Sequence, residues 1–321
     1  MSMHRFTIAP RAQSRPMPLQ IQLNTRPAVL PLYFRALTAR KRGQLTASRE
    51  SVLATVSLQR QAIDAAHLRD YRSVCGFGPG AVVPATYPFV LAMPLQLNLL
   101  VSEAFPFPVL GVVHVRNRIR QYRPLSMHDQ LDIQCELVAP VPVKRGYEFD
   151  LVTRVRVAGE LVWECASTLL SRARSSSRDK QGNPKAAAER HSRGREVAEP
   201  SVHAGRSRAL QWQLSADIGR RYARVSGDRN PIHLYASTAK LFGFPRAIAH
   251  GMWLKAHCLA SLEAAQAVPG DRFEFSVEFK KPVLLPSPVT MQFYTVESGL
   301  QFSLMDDAGK RAHLTGRVAP I

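Results

Sequence analysis

The chain has little of what marks a membrane-spanning, disulfide-bonded or metal-holding protein. No apolar run in its 321 residues approaches the roughly 18–20 needed to cross a bilayer as a helix. The first residues lack an apolar stretch followed by small residues, so a secretory signal is not expected. Only four cysteines occur, Cys75, Cys135, Cys165 and Cys258, and none forms a CxxC pair. That scatter suggests neither a disulfide framework nor a zinc site, and reduced thiols in a cytoplasmic protein are the expectation. Acidic residues are scarce too, with 24 Asp and Glu against 43 Lys and Arg and a net charge of +19. The excess is local. Residues 1–49 hold nine Lys or Arg and no acid, and residues 171–208 hold ten against four. No basic stripe interleaved with aromatics lies in a periodic segment, so a nucleic-acid groove is not expected. The two basic stretches read as a solvated tail and linker with a general attraction for polyanions.

What is present divides the chain. Residues 1–28, rich in Pro, Arg and Gln, read as a basic mobile tail. Residues 171–208 read as a polar linker that cannot bury enough apolar surface to order itself. The bodies on either side, 29–170 and 209–321, look like copies of one another. Tyr71, Val74 and Gly76 match Tyr222, Val225 and Gly227. Further on, Leu91-Ala-Met-Pro-Leu95 meets His250-Gly-Met-Trp-Leu254, Arg123-Pro meets Lys281-Pro, and Gly146-Tyr-Glu-Phe meets Gly299-Leu-Gln-Phe. Each match is weak alone, but their common order and near-constant offset indicate a duplicated domain rather than a solenoid.

Periodicity gives the contents of each copy. Ile248 to Ala267 is apolar nearly all round, as a buried helix should be. Then come alternating stretches around Phe273–Phe279, Val289 to Tyr294 and Leu300 to Leu304, with Phe273, Phe275, Val277 and Phe279 on one face. In the first copy, Val112 to Arg123, Asp129 to Leu137, Tyr147 to Val157 and Leu161 to Leu170 alternate likewise. A buried helix followed by antiparallel strands is an α+β layout.

The chemistry is concentrated in Tyr222-Ala-Arg-Val-Ser-Gly-Asp-Arg-Asn-Pro-Ile-His-Leu-Tyr-Ala-Ser-Thr238. Asp228, Asn230 and His233 place a carboxylate, an amide and an imidazole within six positions, and Ala247-Ile-Ala-His-Gly-Met252 follows. Taken singly, Asp228 and the Asn230-Pro231 pair are ordinary turn formers. His250 and His257, seven apart on an apolar helix, read as satisfied core histidines. No third and fourth ligand stand at zinc-like spacing beside Asp228 and His233, so no metal is expected there.

Together, these two stretches resemble the signature of the MaoC-like (R)-specific enoyl-CoA hydratases. The resemblance is close over residues 219–255 and general over the second copy. It implies two tandem hot-dog domains, each an antiparallel sheet wrapped around a central helix. It implies catalytic roles for Asp228 and His233, an assisting role for Asn230, and an oxyanion contact from the Gly251 N–H. The substrate it implies is an acyl-CoA or acyl-carrier-protein thioester, handled with no cofactor and no membrane, and pairing of chains into a homodimer stays open. Where the second copy has Asp228 the first has Phe77, and the Asn-Pro-Ile-His segment has no counterpart there. One active site per chain is therefore expected, in 209–321. The first copy would shape the acyl tunnel, with Tyr87 to Leu95 either lining it or simply packing the core. A hot-dog thioesterase and a non-catalytic acyl-thioester binder are the alternatives.

Overall fold

A computed structural model describes residues 17–38, 51–109, 111–172 and 207–321. Its strands are β1 (Leu19–Leu23), β2 (Val52–Gln61), β3 (Val82–Val83), β4 (Val113–Gln121), β5 (Leu125–Ser126), β6 (Leu131–Val138), β7 (Val141–Val143), β8 (Gly146–Val157) and β9 (Glu160–Arg172) in the first copy. The second copy has β10 (Arg208–Leu214), β11 (Phe273–Phe279), β12 (Ser287–Val296), β13 (Gly299–Asp306) and β14 (Ala312–Pro320). Helices α1 (Val29–Thr38), α2 (Ala65–Cys75) and α3 (Tyr87–Val101) belong to the first copy. Helices α4 (Ile218–Ser226), α5 (Ala236–Lys240) and α6 (Gly251–Ala264) belong to the second.

One large sheet runs β1-β2-β6-β8-β9-β4-β11-β14-β13-β12-β10, with β7 attached to β8. Outward from the β4–β11 seam, each half repeats the same connection pattern, so the strand path confirms the duplication. The seam is antiparallel, from Phe273 opposite Gln121 to Glu278 opposite Arg116. Strands show the period-two burial their sequences demand: Leu131, Ile133, Cys135 and Leu137 of β6 are buried in alternation, as are Phe273, Phe275 and Val277 of β11. Helices α3 and α6 are apolar around most of their circumference and are buried accordingly. Gly76 and Gly227 close α2 and α4 in the left-handed conformation, with φ of +83° and +74°, which explains why both copies keep glycine there. No helix among the described residues is long and apolar enough to cross a membrane.

Two expectations change. Of the tail expected over 1–28, residues 1–16 lie outside the described residues, and within the rest Leu19–Leu23 pairs in parallel with β2, Leu19 opposite Ala54. Backbone pairing along the edge of β2 orders a segment whose strand signal is one short alternation, Leu-Gln-Ile-Gln-Leu, with Ile21 and Leu23 packed against the core. The expected linker lies, apart from its ends, outside the described residues, since β9 runs to Arg172 and β10 starts at Arg208.

The copies are also joined by a buried amine. Lys255 of α6 is fully buried, and its Nζ donates to Asn117 Oδ1 (2.5 Å), Phe275 O (2.8 Å) and Asn117 O (3.2 Å), across β4 and β11. Burial pushes its pKa from 10.5 down to about 7. Between those values the unfolded chain holds a proton that the folded chain has released, so this group makes stability rise with pH. Denaturant titrations from about pH 7 to about pH 10 are expected to show that rise, and Lys255→Met is expected to flatten it.

Candidate active site

Helix α4 ends at Gly227, and the chain then turns through Asp228 into a short 3-10 helix, Pro231–His233. The turn-forming tendencies of this sequence are used. Asp228 Oδ1 accepts the Asn230 N–H at 3.2 Å, and Asn230 Oδ1 accepts the Ile232 N–H at 3.4 Å as the cap of the 3-10 helix. Asn230 therefore fixes the backbone that carries His233. The next segment is laced to this one. Ile248 N–H donates to Ile232 O at 3.0 Å, and His233 Nδ1 lies 2.8 Å from Ile248 O. A carbonyl oxygen only accepts, so Nδ1 carries the hydrogen, and the lone pair of neutral His233 is on Nε2.

Four groups gather here. Asp228, His233 and His250 each bring a side-chain atom within 4.8 Å of the others. The His233 and His250 rings stack at 3.7 Å between centroids, inclined by 27°. His250 Nε2 is 3.0 Å from Asp228 O, to which it donates, and 3.9 Å from Asp228 Oδ2. The fourth group is Tyr33 of α1, whose hydroxyl donates to Asp228 Oδ1 at 2.8 Å and accepts the Arg229 N–H at 3.0 Å. Asp228 keeps 36% of its side-chain surface exposed, so small molecules reach it, whereas His250 is buried at 2%.

The electrostatics separate the groups. Burial works against the charged form of Asp228, but His250, His233, the Tyr33 hydroxyl and the Asn230 N–H outweigh it and hold the carboxyl below its ordinary range. Burial lowers His233, with Asp228 opposing. Burial, joined by His233, brings His250 down to about 3. The site is thus a carboxylate beside neutral imidazoles. It is a poor metal cage in this arrangement. Stacked rings with centroids 3.7 Å apart and planes inclined by 27° do not readily bring two in-plane lone pairs together at a metal–nitrogen distance of about 2 Å.

Helix α6 starts directly after His250. The Gly251 N–H lies ahead of the first in-helix acceptor, at the positive end of the helix dipole. A Cβ at Gly251 would stand 2.9 Å from the Phe279 ring, so a side chain there would press on that ring. Beside the loop lies a cavity of about 700 Å³. Val90, Pro94 and Val225 contribute apolar walls, and Arg26, Arg224 and Arg229 line it as well.

This loop and helix start fall in the segment, residues 198–313, that matches the MaoC like domain. The curated 3-hydroxyacyl-thioester dehydratase X of Mycobacterium tuberculosis is 35% identical over 264 residues, 82% of this chain and 88% of that protein. The chain belongs to the MaoC-like family. The crystal structure of HtdX of M. tuberculosis superposes with a TM-score of 0.68 at 33% identity, covering 83% of this chain and all of that one. A MaoC-like dehydratase from Phytophthora capsici has the same fold, with a TM-score of 0.65 at 16% identity over 85% of this chain and 95% of that one. A double hot-dog protein of M. tuberculosis, at 14% identity, gives 0.53 over 86% of this chain and 96% of that one. The two halves are therefore tandem hot-dog units, as the resemblance implied.

Of the residues that the MaoC-like motif singles out, Asp228, Asn230 and His233 come together, and Gly251 follows the His250 that stacks on His233. His250 itself corrects an expectation. It is not a satisfied core histidine, because its Nδ1 is buried without a partner among the described residues and its Nε2 faces Asp228. His257 fits the expectation, with Nδ1 2.9 Å from Cys75 O and its ring against Trp212 and Trp253. Nothing in the sequence around Tyr33 marks it as a partner of the motif. Only the packing of α1 against α3 brings it there.

Proposed function

We propose that the chain catalyses reversible addition of water to a trans-2-enoyl thioester, giving an (R)-3-hydroxyacyl thioester. The observation that carries this reading is the pairing of a carboxylate with an imidazole of fixed tautomer. Their polar atoms are within 4.8 Å of one another, just ahead of a helix N-terminus. A gap of up to that size has room for one water hydrogen-bonded to both, at about 2.8 Å from each. Asp228 and the His233 Nε2 lone pair orient the water and take its proton as its oxygen attacks the β-carbon. Charge moves onto the thioester oxygen, where the Gly251 N–H and the dipole of α6 stabilise it. The α-carbon then receives a proton back from the pair. Hydroxyl adds to the β-carbon and hydrogen to the α-carbon, so the step balances with no further reactant.

The thioester substrate follows from the relative named a 3-hydroxyacyl-thioester dehydratase. The cavity beside Gly227, with three arginines and apolar walls, suits the phosphate-bearing end of a CoA or carrier-protein thioester. The test is a panel of enoyl-CoA chain lengths, followed by loss of the enoyl-thioester absorbance, with chiral analysis of the product. The expected product is the (R)-3-hydroxyacyl thioester alone. Release of free thiol without hydration would favour a thioesterase, and binding without turnover at every chain length would favour a binding protein.

A further inference from the structure

Tyr33 lies 195 positions from Asp228, in the other hot-dog unit, yet its hydroxyl is 2.8 Å from Asp228 Oδ1. The same oxygen accepts the Asn230 N–H at 3.2 Å, so two donors occupy Oδ1. Oδ2 lies 3.9 Å from His250 Nε2, and that nitrogen already donates to the Asp228 carbonyl oxygen at 3.0 Å. The two oxygens of one carboxylate are thus unequal. We propose that Tyr33 is a positioning residue for the water-addition reaction: its hydroxyl holds Asp228 through Oδ1 and leaves Oδ2 as the oxygen that takes the proton from water. This rests on the hydration reading above.

The placement of Tyr33 is built, not incidental. Leu32 and Ala36 of α1 are buried against Met93, Leu97 and Val101 of α3, and Val29 and Tyr33 pack onto the same cluster. Anchored this way, the ring has little freedom to swing away. The hydroxyl also accepts the Arg229 N–H at 3.0 Å, which orients its own hydrogen toward Asp228. Burial, together with Asp228, raises the Tyr33 pKa far above its ordinary value, so it stays a donor throughout the working pH range. A carboxylate free to rotate would present either oxygen to the water. One tied at Oδ1 presents a single oxygen in a single direction, and geometry of that kind governs the rate of proton transfer.

The ionisation of Asp228 reports the contact. The groups facing it are Tyr33 from α1, His233 from the 3-10 helix and His250 before α6. Tyr222 of α4 and His114 of β4 also sense its charge. The Tyr33 hydrogen bond favours the ionised form. Removing it lets the carboxyl keep its proton to higher pH, so the acidic limb of the rate profile moves up.

The experiment compares the full chain with Tyr33→Phe in two ways. One is the pH profile of kcat and KM for an enoyl-CoA the wild type hydrates. The other is a carboxyl titration by ¹³C NMR on Asp-labelled protein, with Asp228→Asn assigning the signal. Tyr33→Phe is expected to lower kcat about 10-fold, the size of one hydrogen bond to a charged group. KM should change little, and both the acidic limb and the carboxyl titration should shift to higher pH. An unshifted Asp228 titration overturns the proposal whatever the rate, and so does an unchanged profile in an active enzyme. If the wild type hydrates no enoyl-CoA, the reaction reading fails, while the carboxyl titration still decides the Tyr33 contact. If Tyr33→Phe does not fold, a fluorinated tyrosine placed at position 33 replaces it. As a stronger donor, it must move the Asp228 titration to lower pH, and no movement overturns the proposal.

Discussion

Asp228→Asn is expected to cut hydration turnover by about 10²-fold or more, the usual contribution of a positioned general base. The substitution is nearly isosteric. The amide oxygen remains able to accept from the Tyr33 hydroxyl and the Asn230 N–H, so the turn into the 3-10 helix survives. What disappears is the negative charge and the ability to take a proton from water. His233→Ala should cost a similar factor of about 10². It is the less clean of the two, because it also removes the hydrogen bond to Ile248 O at 2.8 Å and the stacking partner of His250. KM should stay close to wild type in Asp228→Asn, since the arginine-lined cavity and the α6 N-terminus are untouched. Steady-state kinetics on the two variants, with near-ultraviolet circular dichroism to confirm folding, make the measurement. Wild-type turnover in both would remove the site assignment.

Gly219→Ala is expected to be as damaging, without touching any reacting group. A Cβ at Gly219 would lie 2.0 Å from the carbonyl oxygen of His233 and 3.1 Å from its carbonyl carbon. Those atoms are backbone, so no side-chain rotation relieves the clash. Either α4 withdraws from the 3-10 helix, or His233 moves. The loop has little room to yield. Thr238 Oγ1 donates to Pro231 O at 2.6 Å, Arg220 to Leu234 O at 3.1 Å, and Ile248 N–H to Ile232 O at 3.0 Å. Overpacking of this kind costs about 1–3 kcal/mol. A displacement of the imidazole by about 1 Å costs on the order of 10² in rate. The variant should therefore melt lower and turn over about 10²-fold more slowly. A neighbouring exposed substitution such as Arg221→Ala should do neither. Normal kinetics in Gly219→Ala would mean that this close approach does not position His233.

Much of this site is local in sequence, and that part is legible. Asp228, Asn230 and His233 sit within six residues because one turn and one 3-10 helix carry them. The strands with clean alternation, β4, β6, β8, β9 and β11 to β13, are legible for the same reason, since each side chain's face is set by its neighbours two positions away. The rest depends on tertiary placement. His250 looks like a core residue because apolar residues surround it in sequence, and only the fold shows that its ring lies on His233. Tyr33 has no local signal, because its partner is in the other unit. Strand β1 is five residues with little buried surface, and its Leu-Gln-Ile-Gln-Leu alternation, set among prolines and arginines, is too short to stand out.

The two central helices do not begin at equivalent places. Gly251 opens α6, whereas the residue aligned with it, Ala92, lies well inside α3, which has already started at Tyr87. In the first unit, that N–H is tied to the preceding turn of its own helix, whereas in the second it stands at the helix start. A perfectly twofold frame would receive a long flat molecule equally well head-first or tail-first. With that N–H free at one of the two equivalent places, the frame has a polarity, and a guest held as proposed would lie in it one way round. In the proposed water addition, a flat double bond held one way round would show the same face to water in every turnover, which is the condition for making one mirror-image product.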